Sequence, residues 1–447
     1  MNLLEGNIAG TLLRFSAPFM LSTLLQTLYT TIDTIVVGQN LGSAGLSAVS
    51  NASQLIQISY FIVIGFSTAG QVLIAQAEGA KEKKTVVDVI GSMFYLTLIV
   101  SMVLGLAFIV FCSPLRHILR TPEEAWTQAG YYVIICSAGL VFTGLYNMYS
   151  AIFRGMGDST HPLLFVAIAS VVNIVLDILF VAGFHWNVAG AALATVIGQM
   201  VSVAISHIYL LRNAESFGFR FELRSLHLSH EMGMKIIRIG IPGAVTVCAV
   251  QISFVFVARL INQQGVTMSA AFGVTQKLRN IPQILTQAFG MGATSMIGQN
   301  LGAHRHDRVS SIVRWAILYC AMINVIFAVL FLTAPILCFR MFTQEREILE
   351  LAGMCMLCMA AELPGKTLMP GCSSLISAQG FVEFSLVTGF VDAFAGRIFM
   401  TWLFGIRLGM GAFGFLLGYS LATYLTALPQ FFYYISGLWK KRRNLIG

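Results

Sequence analysis

Apolar runs of twenty or more residues recur along the whole 447-residue chain, each parted from the next by a short polar segment. A helix of about 20 apolar residues spans a hydrocarbon core of about 30 Å, and in lipid a helix satisfies its own backbone hydrogen bonds. Twelve runs meet this length, near 12–37, 47–76, 86–112, 126–152, 161–184, 188–211, 236–262, 269–297, 311–334, 349–377, 383–405 and 412–437. The pattern predicts an all-α integral membrane protein with twelve transmembrane helices and no separate catalytic domain.

Sliding the chain along itself by 223 to 224 places exposes a duplication. Ile74-Ala-Gln76-Ala-Glu-Gly79-Ala80 aligns with Ile297-Gly-Gln299-Asn-Leu-Gly302-Ala303, and Pro18, Gly42, Gly157 and Gly190 align with Pro242, Gly265, Gly380 and Gly414. Each half holds an even number of spans, so two pseudo-symmetric six-helix lobes share one orientation, a plan used by alternating-access carriers. The longest polar connection, roughly Arg212 to Lys235, falls where the halves meet and sets the expected lobes at 1–217 and 218–447.

Composition agrees: 57% of residues are hydrophobic and 10% charged, against about 25% charged in ordinary soluble domains. A net charge of +8 could suggest nucleic acid, but the basic residues follow the membrane. Seventeen lie in one alternating set of loops and the tail, against five in the other set, Arg116, Arg120, Arg340, Arg346 and Arg407. This positive-inside asymmetry predicts two cytoplasmic termini and no nucleic-acid partner. The first run is about 26 residues long and lacks a basic start, so it is expected to stay in the protein as a span. The eight cysteines sit in or beside apolar runs and read as small hydrophobes; Cys355-Met-Leu-Cys358 has no second Cys/His pair nearby, so no metal site is expected there.

Two carboxylates stand out. Asp33 is the only formal charge between Phe15 and Ala77, and Asp177 the only one between Ser159 and Leu211. A charge at the centre of a span costs about 2.5–3.5 kcal/mol on insertion scales and marks a functional site with a partner. Gln26, Tyr29, Thr30 and Asp33 follow an i, i+3, i+4, i+7 spacing and share a helix face. Asn173 and Asp177 are four apart, as are Thr143 and Asn147, and Thr195, Gln199 and Ser202 form another stripe. Converging, these faces would offer two carboxylates with amide and hydroxyl oxygens, able to hold either a proton with water or a sodium ion. The bland alternative is that the neutral groups merely tie helices together, at about 0.6 kcal/mol per hydrogen bond. Removal from water favours the neutral form of any carboxylic acid, which suits such a pair to exchanging protons. One proton moving inward down 100 mV releases about 2.3 kcal/mol, enough to sustain about a 50-fold substrate gradient.

The acids break the repeat, because Asp33 aligns with Phe256 or Val257 and Asp177 with Met400 or Thr401. Pro18 is expected to bend the first span, either as a static feature or as a hinge. The second half carries Glu362 beside Pro364 and Pro370, Lys277 and Arg279 in the eighth span, and Asp392 five residues before Arg397. Glu362 with Lys366 and Asp392 with Arg397 are candidate buried pairs, or else part of a binding site at a broken helix.

The pattern Pro18…Tyr29…Asp33-Thr-Ile-Val-Val-Gly38, the set Asn173, Asp177 and Thr195, and the loop Arg154-Gly-Met-Gly157-Asp158 resemble the MATE (multidrug and toxic compound extrusion) transporters, in their prokaryotic DinF-like branch, over essentially the whole chain. The resemblance implies a cation-coupled antiporter of the bacterial or archaeal cell membrane that exports bulky, often cationic, amphipathic small molecules by alternating access. It implies Asp33, Asn173, Asp177 and Thr195 as the proton or sodium site, Tyr29, Gln26 and Asn147 as cavity residues, and Pro18 as the bending proline. The expected chain works as a monomer in the lipid bilayer, with no cofactor beyond the coupling ion and no catalytic residues. A lipid-linked oligosaccharide flippase of the same superfamily is the first alternative, since Lys277, Arg279 and Arg397 could hold pyrophosphate. A membrane-embedded transferase is the second, but the spans lack the Asp-rich, histidine-pair or serine–histidine arrangements such chemistry needs.

Overall fold

The computed structural model describes residues 1–118, 121–213 and 227–446, and every regular element among them is helical. The expected boundary at 217/218 and the loop residues Arg120, Arg220 and Arg224 lie outside the described residues. Helix α1, Ile8–Gly79, is two spans joined at Gly42, whose φ of 63° and ψ of −156° interrupt the helical path. Helices α2 (Lys83–Val110) and α3 (Cys112–Ile118) lead to α4 (Glu123–Ala138) and α5 (Leu140–Gly155), which form one span bent by 47°. Helix α6, Thr160–Asp177, continues as a π-helical turn over Ile178–Gly183, and α7 covers Asn187–Asn213.

The second half begins with α8 (His230–Asn262), α9 (Val266–Gly302) and α10 (His306–Thr333), followed by the short α11 (Pro335–Arg340) and α12 (Arg346–Glu350). Then come α13 (Ala352–Ala378), α14 (Val382–Phe390) prolonged by π-helical Val391–Met400 and Leu403–Arg407, and α15 (Gly411–Ile435). Among the described residues, eight helices are long and apolar enough to cross a bilayer singly, and the bent α4–α5 pair makes a ninth. Dividing α1 at Gly42 and adding α9 and α13 completes the twelve spans of the fold. Those last two are less apolar because they carry Lys277, Arg279, Glu362 and Lys366 within the helix.

The duplication is written in the backbone. Gly42 and Gly265 both have positive φ, at 63° and 107°, and so do Gly157 and Gly380, at 84° and 59°. Non-glycine residues follow the same register: Lys81 and His304 adopt φ of 60° and 56°, while His185 and Asn187, at 57° and 53°, match Gly409 and Gly411, at 69° and 57°. Left-handed dihedrals are uncommon outside glycine, so their recurrence at the repeat interval reflects shared turn geometry. Close packing repeats as well. A Cβ at Gly190 would fall 2.9 Å from Phe180 Cβ, and one at Gly414 would fall 2.5 Å from the Phe404 carbonyl carbon, Phe180 and Phe404 themselves being repeat partners.

The described chain resolves into two compact units, Met1 with Pro18–Ala244, and Asn2–Ala17 with Val245–Gly447. The divisions fall inside α1 at Pro18 and inside α8 just after Pro242, which are repeat partners. In the second unit the N-terminal stretch is tied down by Asn300 Nδ2 donating to the Leu3 carbonyl at 3.1 Å and Tyr319 hydroxyl donating to the Ala9 carbonyl at 3.1 Å. Helical dihedrals run through Pro18 unbroken; Gly42 is the residue inside α1 that leaves them.

Because the Phe404 backbone cannot retreat as a flexible side chain would, Gly414→Ala is expected to cost about 1–3 kcal/mol through overpacking. Gly243→Ala, where a Cβ meets nothing within 4 Å, should change stability by less than about 0.5 kcal/mol. Thermal unfolding of the two detergent-purified variants measures the contrast; equal melting temperatures would show that the α15 contact is not tight.

Candidate functional site in the first lobe

Asp177 is the last α-helical residue of α6, and the helix widens into its π-turn directly after it. Such π-turns recur at functional sites because they re-aim side chains. Asp177 is 0% exposed and Asp33, on the first span of α1, 6% exposed. The Asn173 amide bridges α6 to α7: turned with its nitrogen towards Asp177, it donates to Oδ2 at 3.3 Å, while its oxygen accepts from the Thr195 backbone N–H at 3.3 Å. Asp33 lies close enough to act electrostatically on Asp177, and both act on the Tyr29 hydroxyl. The structure thus joins Asn173, Asp177 and the Thr195 backbone, sets Tyr29 with Asn173 and Thr195 on one cavity wall, and keeps Asp33 within electrostatic reach.

Each carboxyl keeps one oxygen, Asp33 Oδ1 and Asp177 Oδ1, buried with no hydrogen-bonding partner among the described residues. A buried polar atom without a partner is costly, so the cluster fits a group that supplies a proton or positive charge. The donors are all oxygens apart from the Asn173 amide nitrogen, a set suited to a proton with water or to a hard cation.

Beside the cluster lies a cavity of about 50 Å³ lined by residues of α1, α5, α6 and α7, among them Gln26, Tyr29, Tyr146, Asn173, Thr195 and Gln199. Gln26 Nε2 donates to the Tyr146 hydroxyl at 2.9 Å, and the Thr143 hydroxyl donates to Gln199 Oε1. At roughly 10–15 Å³ per water, the cavity holds an ion or a few waters. It is far below the 300–1,000 Å³ of a drug-sized pocket.

Two sequence expectations are placed differently. Thr30 is exposed, its hydroxyl turned back to the Gln26 carbonyl, so the polar face of the first span narrows to Gln26, Tyr29 and Asp33. Asn147 is buried but absent from the cavity wall, its Nδ2 donating to the Thr143 carbonyl at 2.8 Å. Conversely, Tyr146 and Ser170 line the cavity and escaped the sequence reading. Ser170 was within reach of it, lying three and seven residues before Asn173 and Asp177 on the same helix face.

The second lobe answers with ion pairs. Arg279 Nε and Nη2 donate to both oxygens of Glu362 at 2.8 Å, Lys366 Nζ lies 3.5 Å from Glu362, and Arg397 Nε donates to Asp392 at 3.0 Å. Tyr419 accepts from Arg279 Nη1 at 2.6 Å and Arg397 Nη1 at 3.4 Å, and Thr423 donates to Glu362 at 3.2 Å. Lys277 instead sits 5.7 Å from the Phe342 ring centroid. At the repeat interval Asn173, Thr195 and Gln199 correspond to Arg397, Tyr419 and Thr423. One of these three positions thus changes from a neutral amide to a charged guanidinium, and the other two carry hydroxyls that bond to the second lobe's ion pairs, where the adjoining cavity is only about 10 Å³.

A duplicated twelve-span frame with an ionisable oxygen cluster inside one lobe defines a polytopic membrane carrier. The family model described as MatE matches residues 18–179 and again 242–403, once per half and over more than half of the chain. The chain belongs to the MatE family, whose members are transporters and not enzymes. It is 26% identical to the probable multidrug resistance protein YpnP of Bacillus subtilis over 436 residues, covering 98% of this chain and 97% of that protein. Among solved structures it resembles a MATE transporter in the straight conformation, with TM-score 0.91, 21% identity and 98% coverage of each chain. It also resembles a MOP superfamily transporter from Pyrococcus furiosus, described as having a binding pocket of reverse polarity, with TM-score 0.89, 23% identity and 98% coverage of each chain. These structural likenesses speak for the fold.

Removing one partner of a buried pair leaves an uncompensated charge, so Glu362→Gln is expected to destabilise the protein by about 3–5 kcal/mol. Asp177→Asn removes a carboxylate with no cationic side chain beside it and should leave the melting temperature near that of the parent. Melting curves of both variants in one detergent make the comparison; a Glu362→Gln protein as stable as Asp177→Asn would contradict the ion-pair assignment.

Proposed function

We propose that this transporter exports bulky, amphipathic, often cationic small molecules in exchange for an inward-moving proton, with a sodium ion as the alternative coupling ion. Asp33, Asn173, Asp177 and Thr195 bind the ion, Tyr29 and Gln26 line the adjoining cavity with Asn147 behind its wall on α5, and Pro18 is the point at which α1 bends during alternating access. Residues 1–217 and 218–447 act as the two functional lobes of a monomer in the cell membrane of a bacterium or archaeon, with both termini cytoplasmic. No other cofactor takes part.

The observation that carries this reading is the pair of buried carboxyls, each with an oxygen that has no hydrogen-bonding partner and neither in an ion pair among the described residues. A structural ion pair would have brought its own cation. The flippase alternative loses support because Arg279 and Arg397 are engaged by Glu362 and Asp392 around a cavity too small for a pyrophosphate.

Reconstituted vesicles loaded with an ethidium-like dye, with proton and sodium gradients imposed separately, test the proposal. Dye should move on the proton gradient, and Asp33→Asn and Asp177→Asn should each lower the initial rate by at least about ten-fold, equivalent to about 1.4 kcal/mol of barrier, without loss of membrane expression. Dye flux that ignores both gradients, or parental rates in both variants, would refute it.

A further inference from the structure

Two hydroxyls on the wall of the first-lobe cavity are left over by the ion site. Ser170, 6% exposed, and Ser202, 1% exposed, both line the cavity, and neither Oγ has a hydrogen-bonding partner in the protein. Ser170 lies seven residues before Asp177 on α6, and Ser202 seven residues after Thr195 on the antiparallel α7. Both are therefore displaced in the same direction, Ser170 by about 10 Å from Asp177 and Ser202 by about 10 Å from Thr195 at 1.5 Å per residue. Gln199, which accepts from Thr143, lies between Thr195 and Ser202 on α7, and the Gln26–Tyr146 hydrogen bond lines the same cavity. Further along the same way, Ser206 is buried and the His207 ring nitrogen Nδ1 meets the Tyr149 hydroxyl at 2.7 Å. The cavity wall carries no Lys or Arg that would repel a positive charge, and its volume of about 50 Å³ accommodates roughly three to five waters.

We propose that Ser170 and Ser202 are positioning residues of a proton relay, holding a short file of water that joins the Asp33–Asp177 pair to the end of the lobe where α5 and α7 finish, at Tyr149 and His207. A proton leaves the Asp177 carboxyl for the adjacent water; each station accepts one proton and passes another on, so that one H⁺ crosses and nothing is oxidised or reduced. An unpartnered hydroxyl suits this role because it can both donate and accept. A hydroxyl spent on the carbonyl one turn back, as those of Thr23, Thr27 and Thr31 are, has its proton committed. The inference rests on the proton-coupled reading above and adds to it the route by which the proton leaves.

The full-length protein in dye-loaded vesicles, with a pH-sensitive fluorophore reporting proton movement, provides the test. The double variant Ser170→Ala/Ser202→Ala is expected to slow dye export and dye-dependent proton flux together by about ten-fold, the rate equivalent of about 1.4 kcal/mol. The dye KM and the final accumulation should be unchanged, because the carboxyl pair is intact. Ser202→Thr, which keeps the hydroxyl, should export at close to the parental rate, and the slow variant should show the larger solvent isotope effect in D₂O. Parental rates in the double variant would overturn the relay while leaving coupling at Asp33 and Asp177 standing. A slow Ser202→Thr, or a dye affinity that falls with the rate, would also overturn it by assigning the serines to packing. Dye export on a sodium gradient with none on a proton gradient would remove the underlying reading itself.

Discussion

A charge placed between apolar helices must be matched where it lies, and that requirement shapes both lobes. Water is not at hand to solvate it, and moving an ion out of water costs several kcal/mol even after the protein relaxes. The second lobe meets the requirement internally, with Glu362 held by Arg279 and Lys366 and with Asp392 held by Arg397. The first lobe does not: among the described residues neither Asp33 nor Asp177 is in an ion pair. In the proposed mechanism their compensation comes from outside the polypeptide, as an exchanging ion.

The duplication sharpens this contrast, because neighbours of the two acid sites occupy equivalent positions although the acids themselves do not. Where the first lobe has Asn173 and Thr195 beside a cavity, the second has Arg397 and Tyr419, with both guanidinium groups also stacked near the Tyr419 ring, at 4.9 Å and 5.1 Å from its centroid. The arginines act as tethered cations in space that the first lobe leaves for a mobile one. In the proposed mechanism a single frame hosts a fixed lobe and an exchanging lobe, and the coupling needs one ionic site per chain.

The spans, their duplication and the isolation of the two aspartates were legible in the sequence because hydropathy and charge are properties of residue order. The clustering of Asn173, Asp177 and Thr195 followed from helix periodicity together with the resemblance of their spacing to a family. Partnership was harder to see. Lys366 lies four residues after Glu362, yet Arg279, eighty-three residues away, supplies the short bidentate contact. Sequence separation carries no information about which of two cations reaches a carboxylate from a neighbouring helix. The same limit hid Tyr146, whose role comes from Gln26 on a distant helix, and put Asn147 on the cavity wall when its amide is spent on the Thr143 carbonyl. Thr30 was misplaced for a different reason: at the edge of a polar face, a threonine can satisfy its hydroxyl on its own helix and turn outward.

Cavity size links the site to the transport cycle. A space of about 50 Å³ receives the coupling ion and its water but not a bulky cargo, so in the proposed mechanism ion and cargo do not share this cavity in this conformation. The walls must move before a drug-sized molecule could enter. The wall on α1 is the one with a joint near it: the division between compact units falls at Pro18, two helical turns before Gln26, and Pro18 lacks the N–H that would tie it to the preceding turn. Its repeat partner Pro242 stands within two residues of the other division, in α8. Helices that change unit at a proline can yield there with the loss of few hydrogen bonds. In the proposed mechanism, a change in charge at Asp33, four turns further along the same helix, alters how that helix packs, and Pro18 is the point at which it yields.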